Sequence, residues 1–254
     1  MTVLSEEELY QFAKSLLAAG GAGQRQAEIV GDSLVQANLR GHDSHGVMRI
    51  PFYIDRVKAG ALHPQSELQV ERESPGVLAC DGGWGFGQVL SRDLMSRLIE
   101  KAPASGIVSG TLRRAAHIGR LGEYAEMAVE KGMIALVYSG GYGVQRPVAV
   151  PHGGRKSVLS TNPLAIGFPA GDGVPVIIDY ATTVSAGSKV AQARARGEKL
   201  APGILVDPDG NPSTDPEDFF NGGGLLPFGG HKGYGQMLAA EMLGRIFTGA
   251  DRYA

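Results

Sequence analysis

Ten consecutive residues, Arg40-Gly41-His42-Asp43-Ser44-His45-Gly46-Val47-Met48-Arg49, hold two histidines, an aspartate, a serine and two arginines. Together these groups can move protons and bind anions. Imidazole exchanges a proton near neutral pH. A guanidinium fork grips a carboxylate through two parallel hydrogen bonds. His45, beside Ser44 and ahead of Arg49, therefore suits an acid/base set next to an anion anchor. His42 and His45 lie three residues apart and could share a metal, but no second cluster of His, Cys or carboxylates follows at ligand spacing. His42 reads as a helix-capping or solvent-facing residue.

Four further places carry ambiguous chemistry. His117 precedes a Gly-x-x-Gly turn and, taken alone, reads as a packed or capping histidine. Asp179 closes the apolar run Val174 to Ile178 and precedes Thr182 and Thr183. Such a carboxylate can orient a histidine or cap the next helix. His231 and Lys232 sit within Gly229-Gly230-His231-Lys232-Gly233-Tyr234-Gly235, where glycines would let a ligand approach the backbone; the plain alternative is a solvated loop lysine. Thr161-Asn162-Pro163 reads as a turn between strands.

The elements that must position these residues follow from periodicity. Ser5 and Glu8 form a capping-box pattern ahead of Leu9, Phe12, Leu16 and Leu17 at helical spacing, and Gly20 and Gly21 stop that helix. Ala27 to Leu39 is a second amphipathic helix. Pro51 suits a first helical turn, so a third helix starts near Met48 to Pro51 and runs to Gly60. His45, Arg49 and Tyr53 then share one face if the turn is helical from His45 onward. Residues 61–75 are polar and proline-marked, a candidate boundary between an N-terminal helical region (1–72) and a nucleotide- and substrate-binding domain (73–254). Expected strands are Val77 to Cys80, Gly106 to Ser109, Met133 to Tyr138, Pro147 to Val150, Leu164 to Phe168, Val174 to Ile178 and Ile204 to Val206. Gly82 to Gly87 reads as a glycine and aromatic turn. Helices are expected at Val89 to Lys101, from His117 to Gly132, at Ala186 to Arg196 and at Gln236 to Phe247. The pattern is an α/β class with a mixed, partly antiparallel sheet flanked by helices. The segments between 145 and 178 are joined too briefly for helical crossovers.

Bulk properties narrow the function. The 254 residues are 43% hydrophobic and 20% charged, with a net charge of −2, which points to neither a nucleic-acid nor an anionic-membrane partner. No apolar run approaches the roughly 18 residues of a membrane span. The acidic N-terminus has no apolar core of a signal peptide. Cys80 is the single cysteine, which suits a reducing, cytoplasmic setting. No G-x-G-x-x-G follows a strand, and neither a P-loop nor a G-x-S-x-G elbow occurs.

Taken in order, RGHDSHGVMRIPFY (40–53), HIGRLGEYAEMA (117–128), STNPLAIGFPA (160–170), IDYATT (178–183), ARGEKLAPG (195–203), DPDGNPSTDP (207–216) and PFGGHKGYG (227–235) resemble the malate/L-lactate dehydrogenase family over essentially the whole chain. That family binds nicotinamide nucleotides on a non-Rossmann fold. The resemblance implies an NAD(P)-dependent oxidoreductase interconverting a small 2-hydroxy acid and its 2-oxo acid, with NAD or NADP as cofactor and a homodimer as the assembly. It implies His45 as acid/base, with Ser44 and Asp179 holding it, and His117 as a second active-site histidine that some members use as proton acceptor. Arg49 would pair with the substrate carboxylate, and Thr161 and Asn162 would lie near the substrate. Ser139, Ile178, Asp179, Tyr180, Ala181, Thr182, Thr183, His231 and Lys232 match nucleotide-contacting positions. Thr183 keeps a hydroxyl where serine is common.

Family members continue for several tens of residues past the position of Ala254, so the sequence reads as lacking the family's C-terminal part. The alternatives are a non-catalytic nucleotide- or carboxylate-binding remnant, a reductase of a cyclic imine acid, and a metal-dependent hydrolase using His42, His45 and His117.

Overall fold

The computed structural model describes residues 3–141 and 147–250. Helix α1 (Glu6–Ala19) starts where the capping box places it. Glu8 N–H donates to the Ser5 hydroxyl, and Ser5 N–H donates to the Glu8 carboxylate at 2.8 Å. Such a cap contributes about 1 kcal/mol. Helix α2 (Gln24–Leu39) begins three residues earlier than its apolar stripe suggests, behind Gly23. Two single turns of 3₁₀ helix, Asp43–His45 and Val47–Arg49, lead into α3 (Ile50–Lys58), which has Pro51 in its first turn. The three helices share one core of Ala13, Leu17, Ala27, Val30, Leu34, Ile50 and Tyr53, closed by Leu62, Phe86 and Val89.

Strand β1 (Gln69–Ser74) runs antiparallel to β2 (Val77–Gly85). Helix α4 (Gly87–Ser105) then crosses to β3 (Ser109–Ala115), parallel to β2. The glycine and aromatic segment expected as a turn belongs to β2. The strand continues through it because the register shifts between Asp81 and Gly85, with Gly83 and Trp84 at φ 53° and 62°. The Asp81 carboxylate accepts from Gly83 N–H at 2.8 Å and pins this bulge. Strand β3 starts later than Gly106 because Gly106, at φ 73°, terminates α4.

Helix α5 (Gly122–Val129) follows, and β4 (Ala135–Tyr138), β5 (Leu164–Phe168) and β6 (Val176–Tyr180) form a second sheet in that order. The strand expected over Pro147 to Val150 is reduced to isolated bridges at Ala149. Strand β6 begins two residues late, so Asp179 lies inside it and not just beyond it. Next come α6 (Gly187–Arg196), β7 (Leu205–Val206), β8 (Pro212–Ser213), α7 (Pro216–Phe220), β9 (Gly224–Leu225) and α8 (His231–Glu241). Strands β8-β7-β9 make a third, antiparallel sheet. Helix α8 starts five residues before Gln236, which moves His231 and Lys232 from a loop into a first helical turn, and it runs on into a π turn at Met242–Ile246.

The class is thus mixed α/β, with three small three-stranded sheets flanked by helices in place of one mixed sheet. The chain divides into two compact units. The first holds the residues up to Ala135 with Gly167–Ile177; the second holds Leu136–Ile166 with the residues from Ile178 onward. The first contains the helical core and a second cluster around Leu78, Cys80 and Leu94. The second is built on Val190, Leu205, Phe219 and Leu225, and on Ala149, Leu159 and Met237.

Candidate active site

In the first unit the loop between α2 and α3 is fixed by Asn38. Its amide donates to Asp43 at 2.6 Å, and its carbonyl accepts from Val47 N–H at 2.9 Å. A Cβ on Gly46 would lie 2.2 Å from that carbonyl oxygen, so a side chain there would push the Asn38 amide out of both hydrogen bonds. The loop places Ser44 Oγ 2.9 Å from His45 Nδ1. Arg49 Nε donates to the Ser44 carbonyl at 2.7 Å, while its two terminal nitrogens have no hydrogen-bond or ion-pair partner among the described residues. The His45 ring stacks on that of His117 with centroids 5.4 Å apart and planes inclined by 22°. His117 Nδ1 lies 2.8 Å from Tyr53 Oη, and Gln88 Nε2 donates to Tyr53 Oη at 2.7 Å.

The field at this site favours neutral imidazoles. Burial, then the charges of Arg49, His42 and Arg120, lower the His45 pKa to about 4. His117 keeps a partly exposed edge, yet packing around its ring, followed by Arg49 and His45, lowers its pKa to about 3. Tyr53 is buried and held protonated well above the ordinary tyrosine range, chiefly by desolvation. An anion paired with Arg49 would cancel part of the field that lowers the His45 pKa.

In the second unit the segment after β6 is tied to the one leading into α8. Phe228 N–H donates to Thr182 O at 3.0 Å, Val184 N–H donates to Leu226 O at 2.9 Å, and Tyr180 packs edge-on against Phe228. Thr182 also donates through Oγ1 to Thr161 O at 2.8 Å. Asn162, fully buried and at φ 37°, donates to Met237 O at 3.0 Å and to Glu241 at 2.9 Å, which leaves its own Oδ1 without a partner. Ser139 N–H donates to Pro163 O at 3.1 Å. Ser139, Thr161, Asn162, Tyr180 and Thr182 are thereby tied to α8 and to the segment that leads into it, where His231 and Lys232 open the helix. The N-terminus of that helix has no side-chain cap, and Gly229 and Gly230 precede it at positive φ. A Cβ on Gly233 would stand 1.9 Å from Phe228 O. Uncapped helical N–H groups beside His231 and Lys232 form a donor set that fits a phosphate.

The structure brings Ser44, His45, Arg49 and His117 together in the first unit, and the expected nucleotide residues together in the second. His42 occupies the N-cap position of its 3₁₀ turn, but its side chain does not cap it; the ring stands 6.5 Å from His45, edge-on. Among the described residues no three His, Cys, Asp or Glu side chains converge as metal ligands. Two residues of the histidine site were not singled out from sequence. Tyr53 was visible as the third residue of the His45, Arg49, Tyr53 spacing, although Gly46 is extended and interrupts the continuous helical turn that would put the three on one face. Gln88 carried only a weak signal, a polar residue beside Val89 and Leu90 in a buried turn.

Residues 4–253 match the family model for malate/L-lactate dehydrogenase. The chain is 37% identical over 253 residues to a malate dehydrogenase of Pyrococcus abyssi, covering 97% of this chain and 68% of the relative. The solved sulfolactate dehydrogenase of Methanocaldococcus jannaschii superposes with a TM-score of 0.85 at 36% identity, covering 95% of this chain and 69% of that one. A Δ1-piperideine-2-carboxylate reductase from Pseudomonas syringae pathovar tomato superposes with a TM-score of 0.91 at 31% identity, covering 98% and 74%. With a family match along nearly its whole length, the chain belongs to the malate/L-lactate dehydrogenase family.

Proposed function

We propose that this dehydrogenase interconverts a small 2-hydroxy acid and its 2-oxo acid with NAD or NADP, His45 exchanging the proton at the reacting oxygen. The observation that carries this reading is the stacked His45–His117 pair next to an Arg49 whose terminal nitrogens are unengaged. The nicotinamide cofactor, when bound, supplies the hydride acceptor or donor. The donor set at the start of α8, with His231 and Lys232, would hold its phosphates, and Ser139 and the 178–183 segment would line the rest of it.

In oxidation His45 takes the hydroxyl proton; its low pKa in the free protein keeps it unprotonated and open to that proton. Reduction needs that proton returned. Pairing of the substrate carboxylate with Arg49 raises the His45 pKa and so favours the protonated form. Ser44 restrains the ring through Nδ1. Asp179 is assigned to the acid/base set, and Thr161 and Asn162 to the substrate's surroundings, by the motifs they occupy. The assembly is a homodimer in the cytoplasm.

Fluorescence titration of NADH and NADPH, with malate-, lactate- and sulfolactate-type 2-oxo acids present, tests the reading. Oxidation of at least one cofactor is expected; binding without oxidation would make the protein a nucleotide-binding remnant. Oxidation only with a cyclic imine acid would select the second reading, which the piperideine-carboxylate reductase likeness favours.

A further inference from the structure

Nitrogen Nδ1 of His117 faces a backbone amide and a phenol hydroxyl. Gly119 N–H points to it at 3.3 Å, and a backbone amide can only donate. Tyr53 Oη stands 2.8 Å from the same nitrogen. Tyr53 has one proton to give, and Gln88 Nε2–H already donates to its oxygen. Turning the Gln88 amide over would let its carbonyl take the tyrosine proton. His117 would then have to carry a proton on Nδ1, directly against Gly119 N–H. Gln88 Oε1 is buried without a partner, and either orientation leaves one end of that amide unmatched. The choice therefore rests with Gly119, and it points the whole chain of donors one way, from Gln88 to Tyr53 to His117 Nδ1.

We infer that Gln88 and Tyr53 are positioning residues that hold His117 as the neutral Nε2–H tautomer, so that His117 donates a hydrogen bond to the substrate's reacting oxygen and does not accept its proton. The inference rests on the hydroxy-acid reading above. His117 Nε2 has no hydrogen-bond partner among the described residues, and the ring lies against that of His45. The two histidines then divide the work. In oxidation His45 receives the hydroxyl proton, while His117 keeps its own and stabilises the charge left on the same oxygen. Burial of Tyr53 keeps its hydroxyl protonated and able to donate. Burial of the ring, followed by the charges of Arg49 and His45, keeps His117 neutral.

Long-range ¹H–¹⁵N spectra of histidine-labelled protein read the tautomer directly, with His117 assigned from its absence in His117→Gln. The expected spectrum has Nδ1 unprotonated and Nε2 protonated; the reverse would overturn the inference. Gln88→Glu replaces the donor with an acceptor and is expected to move His117 toward the Nδ1–H form. Tyr53→Phe removes one donor and is expected to mix the two forms. In both variants kcat is expected to fall about 100-fold with KM for the oxo acid nearly unchanged. Gln88→Met, uncharged and of similar size, keeps the test open if the buried carboxylate prevents folding; it is expected to lower kcat while Nε2–H still predominates. Wild-type tautomer and wild-type kcat in the Gln88 and Tyr53 variants would also overturn it. Absence of turnover in the unmodified protein would instead count against the hydroxy-acid reading, and the tautomer spectrum would then decide this inference alone.

Discussion

His45 shows how a residue's surroundings set its protonation state. Burial and the neighbouring Arg49 charge keep it neutral at physiological pH, the state a base requires. In the oxidative direction kcat/KM is accordingly expected to stay level from pH 8 to about pH 5 and to fall only near pH 4. A pH–rate profile with a limb near 6.5 would rule this out. Replacing His45 by Ala is expected to lower kcat about 1,000-fold or more while cofactor fluorescence quenching is retained. In the proposed reaction Arg49 serves a different step. Its Nε holds the Ser44 carbonyl and leaves the terminal nitrogens for a carboxylate. Lysine cannot reproduce that bidentate fork, so Arg49→Lys is expected to raise KM for the oxo acid about 10- to 100-fold, measured by steady-state kinetics.

Close backbone approaches hold the elements where the residues need them. The first residue of α4, Gly87, lies against the link between β3 and α5: a Cβ there would stand 2.3 Å from Ala116 O and 2.6 Å from His117 O. That contact lets α4 present Gln88 to Tyr53 while setting the backbone of His117. Gly87→Ala is expected to cost about 2 kcal/mol or more in urea unfolding, because backbone atoms cannot move aside as a side chain can. It is also expected to lower kcat by displacing His117. Helix α8 shows the same device at Gly233. Its early start was hidden in the sequence because glycines at 229, 230, 233 and 235 read as loop. Packing of Met237 with Ala149 and Leu159 overrides their poor helix propensity.

Across the whole molecule, acid stability reports on the two neutral histidines. In the unfolded chain both titrate near 6.5; folded, they titrate at about 4 and about 3. Between these limits the unfolded state binds more protons, so stability falls as pH drops from 6.5 toward 4. Above 6.5 both states are neutral and this contribution to the slope vanishes. Urea midpoints at pH 7 and pH 4.5 check it, and His117→Gln is expected to lose less on acidification than the unmodified chain. The proposed homodimer is checked by sedimentation equilibrium, with twice the chain mass expected. The sequence by itself determined what depends on near neighbours: the Ser5–Glu8 cap, Pro51 in a first turn, and the ordered motifs that mark the family. Only the tertiary structure decided that β2 runs through its glycines, that Asp179 lies within a strand, and which polar groups face His117. Tyr53 reaches His117 across 64 residues and Gln88 reaches Tyr53 across 35. Periodicity records which face of an element is buried; it does not record which distant polar group waits there. The hydrogen bonds of His117 form only when packing brings those groups within reach.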